Sequence, residues 1–425
     1  MNQQHHEGAF SKYQIFVIAI LSILQFTIVL DFMVISPLSA ILLEELSITT
    51  SQFGLVVSAY AFSAGASGLL ASGFADKFDR KQLLLFFYTG FILGTLFCGL
   101  AQGYLFLLIA RIVTGLFGGV MSSISYAIIT DLFALQKRGR VMGFVQMAFA
   151  ASQILGIPVG LYIANQWNWH APFLLIVGIS LVVGVLIVLY LKPISEHLGL
   201  QTKQNPFRHM SNIFKNPRYM KGFAATTLLA TGGFMLMPFG AAFSVNNLGI
   251  SLEELPLVYM ITGVFSIFMG PIAGKLSDRI GKYKVFWVGS LIATIVILIY
   301  CHLGITSFAV VILLNVIMFM GITARMVSSQ ALLTAIPEAK DRGAFMSINS
   351  SVMQVSGGIA SWVAGLIVVQ AADGKLENYG ALGFVVTGTI FATIALMYMV
   401  NKMVFHDSQV VLDSKQEREP DLVEV

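Results

Sequence analysis

Charge is what this chain has least of. Of its 425 residues only 11% are Asp, Glu, Lys or Arg, while 57% are hydrophobic. Soluble domains carry about 25% charged residues, so a water-facing surface of normal composition is excluded and an integral membrane protein is expected. Cysteine is rarer still. Cys98 and Cys301 each sit inside an apolar run, which excludes a disulfide framework and reads as two small buried hydrophobes. No Cys/His spacing resembles a zinc site, and no Gly-rich phosphate loop, nucleotide motif or nucleophile–base constellation appears. No metal, cofactor, enzymatic activity or ATP-driven step is therefore expected. The net charge of +4 is not gathered into one patch, which argues against nucleic acid as a partner. A cleaved signal peptide is not expected either. The first twelve residues hold His5, His6, Glu7 and Lys12, and the apolar run after them is too long for a signal core.

What is present is length of apolar chain. A spanning helix needs about 20 mainly apolar residues, and twelve runs qualify. They lie near 13–38, 52–74, 83–101, 104–132, 141–165, 171–191, 222–245, 253–276, 285–304, 307–335, 344–370 and 380–402. The runs are apolar almost all round, unlike the alternating strands of a membrane barrel, so the fold class is an all-α membrane protein. With the N-terminus inside, every basic residue except Arg111, Arg325 and Lys375 falls in an inner segment. The excess of positive charge on one side predicts cytoplasmic termini and a multi-pass position in the cell's inner membrane.

Charged turns divide the chain into two copies. Ser72–Lys81 reads S-G-F-A-D-K-F-D-R-K, and about 200 positions later Gly274–Lys284 reads G-K-L-S-D-R-I-G-K-Y-K. Asp76 matches Asp278, Arg138-Gly139 matches Arg342-Gly343, and Cys98 matches Cys301. The expected organisation is a tail at 1–12, a first half at 13–191, a basic connection at 192–221, a second half at 222–404 and a polar, acidic, disordered tail from 405 to 425. Within the connection, Phe207–Phe214 is a candidate short surface helix, or part of a solvated linker touching anionic lipid.

Six plus six spans with a repeated turn after the second and eighth resemble the major facilitator superfamily. The family's loop pattern G-x-L-A-D-R-x-G-R-K is met by Gly274, Leu276, Asp278, Arg279 and Gly281. The first copy keeps Asp76, Arg80 and Lys81 but has Asp79 where the second Gly belongs. The fourth span resembles a further family motif through Arg111, Gly115, Gly118 and Gly119. Gly156, Pro158 and Gly160, followed by Trp169-His170-Ala171-Pro172-Phe173, partly match the antiporter motif of the twelve-span drug:proton and sugar-efflux branch. The resemblance implies twelve transmembrane helices in two pseudo-symmetric six-helix bundles. It implies proton-coupled efflux of a small organic molecule, by a monomer whose other partners are protons and the bilayer. It further implies an inner latch, with Asp76 against the start of the eleventh span near Gly343, Arg80 paired with Asp131, and Asp278 as the second copy of Asp76. Sugar or metabolite export, proton symport, or a sensor or scaffold that kept the fold without transport remain alternatives.

Three charges lie inside spans. Such charges are costly and normally face a cavity or a partner. Asp31 and Arg111 fall at equal depth, about 10 Å below the outer surface, which permits pairing. Asp31 is a candidate proton site or substrate anchor, tuned by Arg111; a static buried pair is the plainer reading. Arg325 has no intramembrane acid in its own half. It either holds an anionic group of the substrate, faces Asp31 across the cavity, or bonds backbone carbonyls. Gln25, Gln146, Gln153, Asn315, Gln330, Asn349 and Gln354 are candidates for lining the cavity or for helix–helix hydrogen bonds. Gly156, Pro158 and Gly160 suit a hinge or a tight seam between halves, or the routine small-residue packing of a membrane helix. Gly232-Gly233 and Pro238 predict a break in the seventh span.

Overall fold

A computed structural model describes residues 10–71, 77–195, 198, 206–338 and 341–416. Hydrocarbon offers a backbone no partners, so each span must satisfy its own amides, and a helix does this. Twelve spans among the described residues are long and apolar enough to cross a membrane. The first starts at a Ser11–Gln14 capping box and forms α1 (Lys12–Val34), a turn and α2 (Ser39–Glu45). α3 (Thr50–Ala71), α4 (Arg80–Gly99) and α5 (Tyr104–Leu132) follow. The fifth span is α6 (Leu135–Ala151), one π-helical turn at Ser152–Gly156, and α7 (Ile157–Gln166); α8 (Ala171–Tyr190) ends the first half. A short α9 (Pro206–Lys215) lies in the connection.

The second half repeats the order. α10 (Pro217–Phe234), a 3-10 turn at Met237–Phe239 and α11 (Gly240–Asn246) make the seventh span. Then come α12 (Leu255–Ile280), α13 (Lys282–Tyr300), α14 (Phe308–Leu333), α15 (Arg342–Ile367) and α16 (Tyr379–Gln416). A two-stranded hairpin, β1 (Val369–Gln370) and β2 (Leu376–Glu377), joins the last two.

Two features differ from the sequence reading. The break at Pro238 has a twin at Ile35–Leu38, which contains Pro37. Proline removes a helix donor, and the two prolines are about 200 positions apart. Second, α16 runs on to Gln416, where an unstructured tail from 405 was expected. No Gly or Pro interrupts that stretch until Pro420, so the helix has no local reason to stop at the membrane surface.

Apolar packing is unequal at the two ends. On the far side, the end away from the termini, one cluster joins both halves through Val34, Phe53, Phe239 and Phe243, and in the first half it continues to the terminal end through Val17, Leu84 and Ile129. Ser39 Oγ accepts from the Ala242 amide at 3.2 Å, joining α2 to α11. On the terminal side the second half has its own cluster around Tyr219, Phe223, Phe286 and Phe345. Of the first half, only Leu69 joins it among the described residues.

The main seam between halves is α3 against α15. Thr50 Oγ1 donates to the Val368 carbonyl at 2.5 Å, and Ser58 Oγ to the Gly358 carbonyl at 2.7 Å. Small residues allow this approach. A Cβ on Gly54 would stand 2.8 Å from the Ser361 oxygen, and one on Gly365 2.6 Å from the Thr50 oxygen.

Candidate functional site

The first half folds around one ion pair. Asp31 stands one turn before the end of α1, and Arg111 two turns into α5. Arg111 Nη1 donates to Asp31 Oδ2 at 2.9 Å and to the Asp31 carbonyl at 3.2 Å. Thr95 Oγ1 of α4 donates to Asp31 Oδ1 at 3.1 Å. Both charged side chains are fully buried. The guanidinium also lies 4.5 Å from the centroid of the Tyr60 ring on α3, a favourable place for a cation. Arg111 Nε and Nη2 have no hydrogen-bond partner. The pair is thus held by four helices yet is not saturated.

Close helix contact builds this pocket. A Cβ on Gly94 would lie 2.7 Å from the Thr114 amide nitrogen, so α4 and α5 touch at the backbone. Gly115 and Gly119 set α5 against Tyr60 and Ala64 of α3. From the pair a ring contact leads out of the half. The Tyr60 ring is 5.2 Å from Phe32, and Phe32 is 5.9 Å from Phe234 of α10.

The other candidates divide by surroundings. Gln25 accepts from Ser122 at 3.1 Å, Asn315 Nδ2 donates to Val311 at 2.9 Å, and Asn349 accepts from Thr226 at 2.5 Å, each within its own half. Gln153 and Gln354 are half-buried, while Gln146 and Gln330 are exposed. Arg325 is buried on α14 with Nε and Nη2 unpartnered, and its guanidinium carbon is 5.7 Å from the Phe286 ring centroid.

Of the latch residues, Asp76 lies outside the described residues. Arg80 Nε donates to Asp131 Oδ2 at 3.0 Å, tying the start of α4 to the end of α5. Arg138, the first copy of Arg342, caps α5 by donating to the carbonyls of Phe133 at 2.9 Å and Thr130 at 2.6 Å. A cation is favoured at a helix C-terminus. Gly343 has open space around it, and Asp278 is exposed on the last turn of α12.

On the fifth span the glycines face their own half. A Cβ on Gly156 would meet Leu30 at 2.7 Å, and one on Gly160 would meet Val34 at 3.0 Å, both beside α1 and its turn. Pro158 sits just after the π turn. The contacts across the seam come from neighbours instead. A Cβ on Gly263 of α12 would touch Ile154 at 2.9 Å, and Asn165 Nδ2 donates to the Leu252 carbonyl at 2.5 Å. In the following loop His170 stacks on buried Trp169, centroids 3.8 Å apart. Burial holds its imidazole below the usual range, against the opposing charge of Glu45.

Thr95, Tyr60, Phe32 and Phe234 were not singled out in the sequence. A polar Thr95 at the depth of Asp31 was the available signal; the aromatic residues gave none among so many.

The sequence profile of the Major Facilitator Superfamily matches residues 21–328 and again 222–417. The chain belongs to this superfamily. Among its curated relatives is "Uncharacterized MFS-type transporter YceJ" of Bacillus subtilis (strain 168), 23% identical over 377 residues, covering 87% of this chain and 94% of that one. "Multidrug resistance protein 3" of the same organism is 32% identical over 146 residues, which is 34% of this chain and 28% of the relative. Among solved structures, a D-xylose-proton symporter superposes with a TM-score of 0.72 at 18% identity, covering 88% of this chain and 97% of the other. The two-bundle fold of this facilitator-superfamily transporter is thereby shared at low identity, which speaks for architecture alone.

Proposed function

We propose that this transporter exports a small organic molecule in exchange for protons, by alternating access between its halves. Asp31 is the proton-carrying group and Arg111 its partner. The buried Asp31–Arg111 pair carries this reading. When Asp31 is ionised the pair is neutral overall. When Asp31 takes a proton, Arg111 is left as an unbalanced charge in a dry interior, which is strongly unfavourable. The other groups facing the pair, Thr95, Tyr60, Thr114 and Cys98, supply no second carboxylate. The imbalance is relieved when Arg111 and Tyr60 shift, and through Phe32 and Phe234 that shift reaches the second half. The stretch of identity to a multidrug resistance protein supports efflux over uptake. The positive-inside bias supports cytoplasmic termini in the cell membrane, and the reading takes the protein as a monomer.

The test is flux in proteoliposomes under an imposed pH gradient, using a compound that raises the melting temperature of the purified protein. Wild-type flux is expected to fall by an order of magnitude, about tenfold, when the gradient is collapsed. Asp31→Asn is expected to lose that dependence while still exchanging substrate across the membrane. Equal gradient dependence in wild type and Asp31→Asn would remove Asp31 from the coupling mechanism. Gradient-driven uptake with the gradient's own sign would favour symport.

A further inference from the structure

Arg325 is the one charge deep in the spans of the second half. Asp278 is that half's nearest acid along any span, and it is exposed at the very end of α12. Arg325 sits eight residues before the end of α14, about 12 Å into the span. Its exposure is 6%. The first half balances Arg111 with Asp31; nothing described in the second half balances Arg325.

The unused atoms are informative. Nε and Nη2 both lack partners. They form the side-on edge of the guanidinium, whose two parallel N–H bonds match the two oxygens of a carboxylate or phosphate. A buried cation kept without a counter-charge is a cost to stability. The described residues supply no counter-charge, which leaves this edge of the guanidinium to one brought by a ligand. Thr226 on α10 and Asn349 on α15 stand at similar depth, about 13 Å and 10 Å from the terminal ends of their helices. The two are bonded to each other. Beside Arg325 the helices α13 and α14 meet backbone to backbone, with a Cβ on Gly289 placed 2.8 Å from the Gly321 oxygen and 3.2 Å from the Arg325 amide nitrogen.

We propose that Arg325 binds the anionic group of the transported molecule, bidentately, so that the substrate class is a small organic carboxylate or phosphate. The assignment rests on the transport reading above, but not on proton coupling. Binding is measured without a gradient, on purified full-length protein at constant ionic strength. The probes are benzoate, benzylamine and benzyl alcohol, which share a ring and differ in charge, with succinate and inorganic phosphate beside them. Benzoate or another of the anions is expected to raise the melting temperature of wild type, and benzylamine and benzyl alcohol are not. Arg325→Gln is expected to weaken that anion's binding at least about tenfold, the loss of one charge-assisted pair. Its own melting temperature without ligand should equal or exceed that of wild type, since a lone buried charge is gone. Arg325→Lys, which keeps the charge and loses the fork, should fall between. Unchanged anion binding in Arg325→Gln overturns the proposal, as does a wild type that none of the three anions stabilises. Asp31→Asn keeps the anion effect if Arg325 is the site, so failure of the coupling reading leaves a distinct signature.

Discussion

Replacing Arg111 by methionine is expected to lower the stability of the solubilised protein by about 3–5 kcal/mol. The cost comes from what remains. Asp31 is fully buried, and its remaining support would be a single hydroxyl bond from Thr95. A carboxylate in that position is far from the other cation of these helices, because Arg80 lies at the opposite end of α4 and is paired with Asp131. Removing Asp31 as well, in Asp31→Asn with Arg111→Met, should restore most of the loss. Asn keeps an oxygen for Thr95 and carries no charge. Chemical unfolding of wild type, both single variants and the double variant would close the cycle. Single losses that simply add would mean the two side chains contribute independently and the pair is not the unit.

The second large effect is expected at the seam. Gly365→Ala places a methyl group 2.6 Å from the Thr50 carbonyl oxygen, a backbone atom that cannot swing aside. Either the substitution strains both helices, or α3 and α15 part on the far side. Overpacking of this kind costs about 1–3 kcal/mol. Laid on an equilibrium between two arrangements, that is roughly a 5- to 150-fold change in their ratio. Spin labels at the exposed Glu44 and Asp373 would report it as a longer distance population. Net transport should fall in step, because one arrangement is no longer readily visited. An unchanged distance distribution with normal transport would show that the seam yields without opening.

Hydropathy told where the chain crosses the membrane, and it told depth. It placed Asp31 level with Arg111, while Gly232-Gly233 and Pro238 marked the break in the seventh span. It was blind to direction around each helix. That is why Gly156 and Gly160 read equally well as a seam between halves, although they face Leu30 and Val34 of their own half. The break at Ile35–Leu38 was hidden because its residues are as apolar as the helix before it, with Pro37 the one clue. The seam itself was written in small residues, Gly54, Ser58 and Gly65 on one helix and Gly358, Ser361 and Gly365 on the other. Such residues are common in every membrane helix. Only the fold, which sets residue 58 beside residue 358, gives them meaning. Asp76, central to the sequence argument, lies outside the described residues, so its latch stands as a proposal.

The two ends of the molecule are sealed by different materials. Far from the termini, parting the halves would wet Phe53, Phe239 and their neighbours in the shared apolar cluster. Wetting hydrocarbon raises heat capacity, so the equilibrium for that opening should follow a curved van 't Hoff plot. Near the termini the second half has its own cluster, which among the described residues takes only Leu69 from the first half. A transporter built this way has a thermometer at its far gate, so temperature alone should change how often that gate opens.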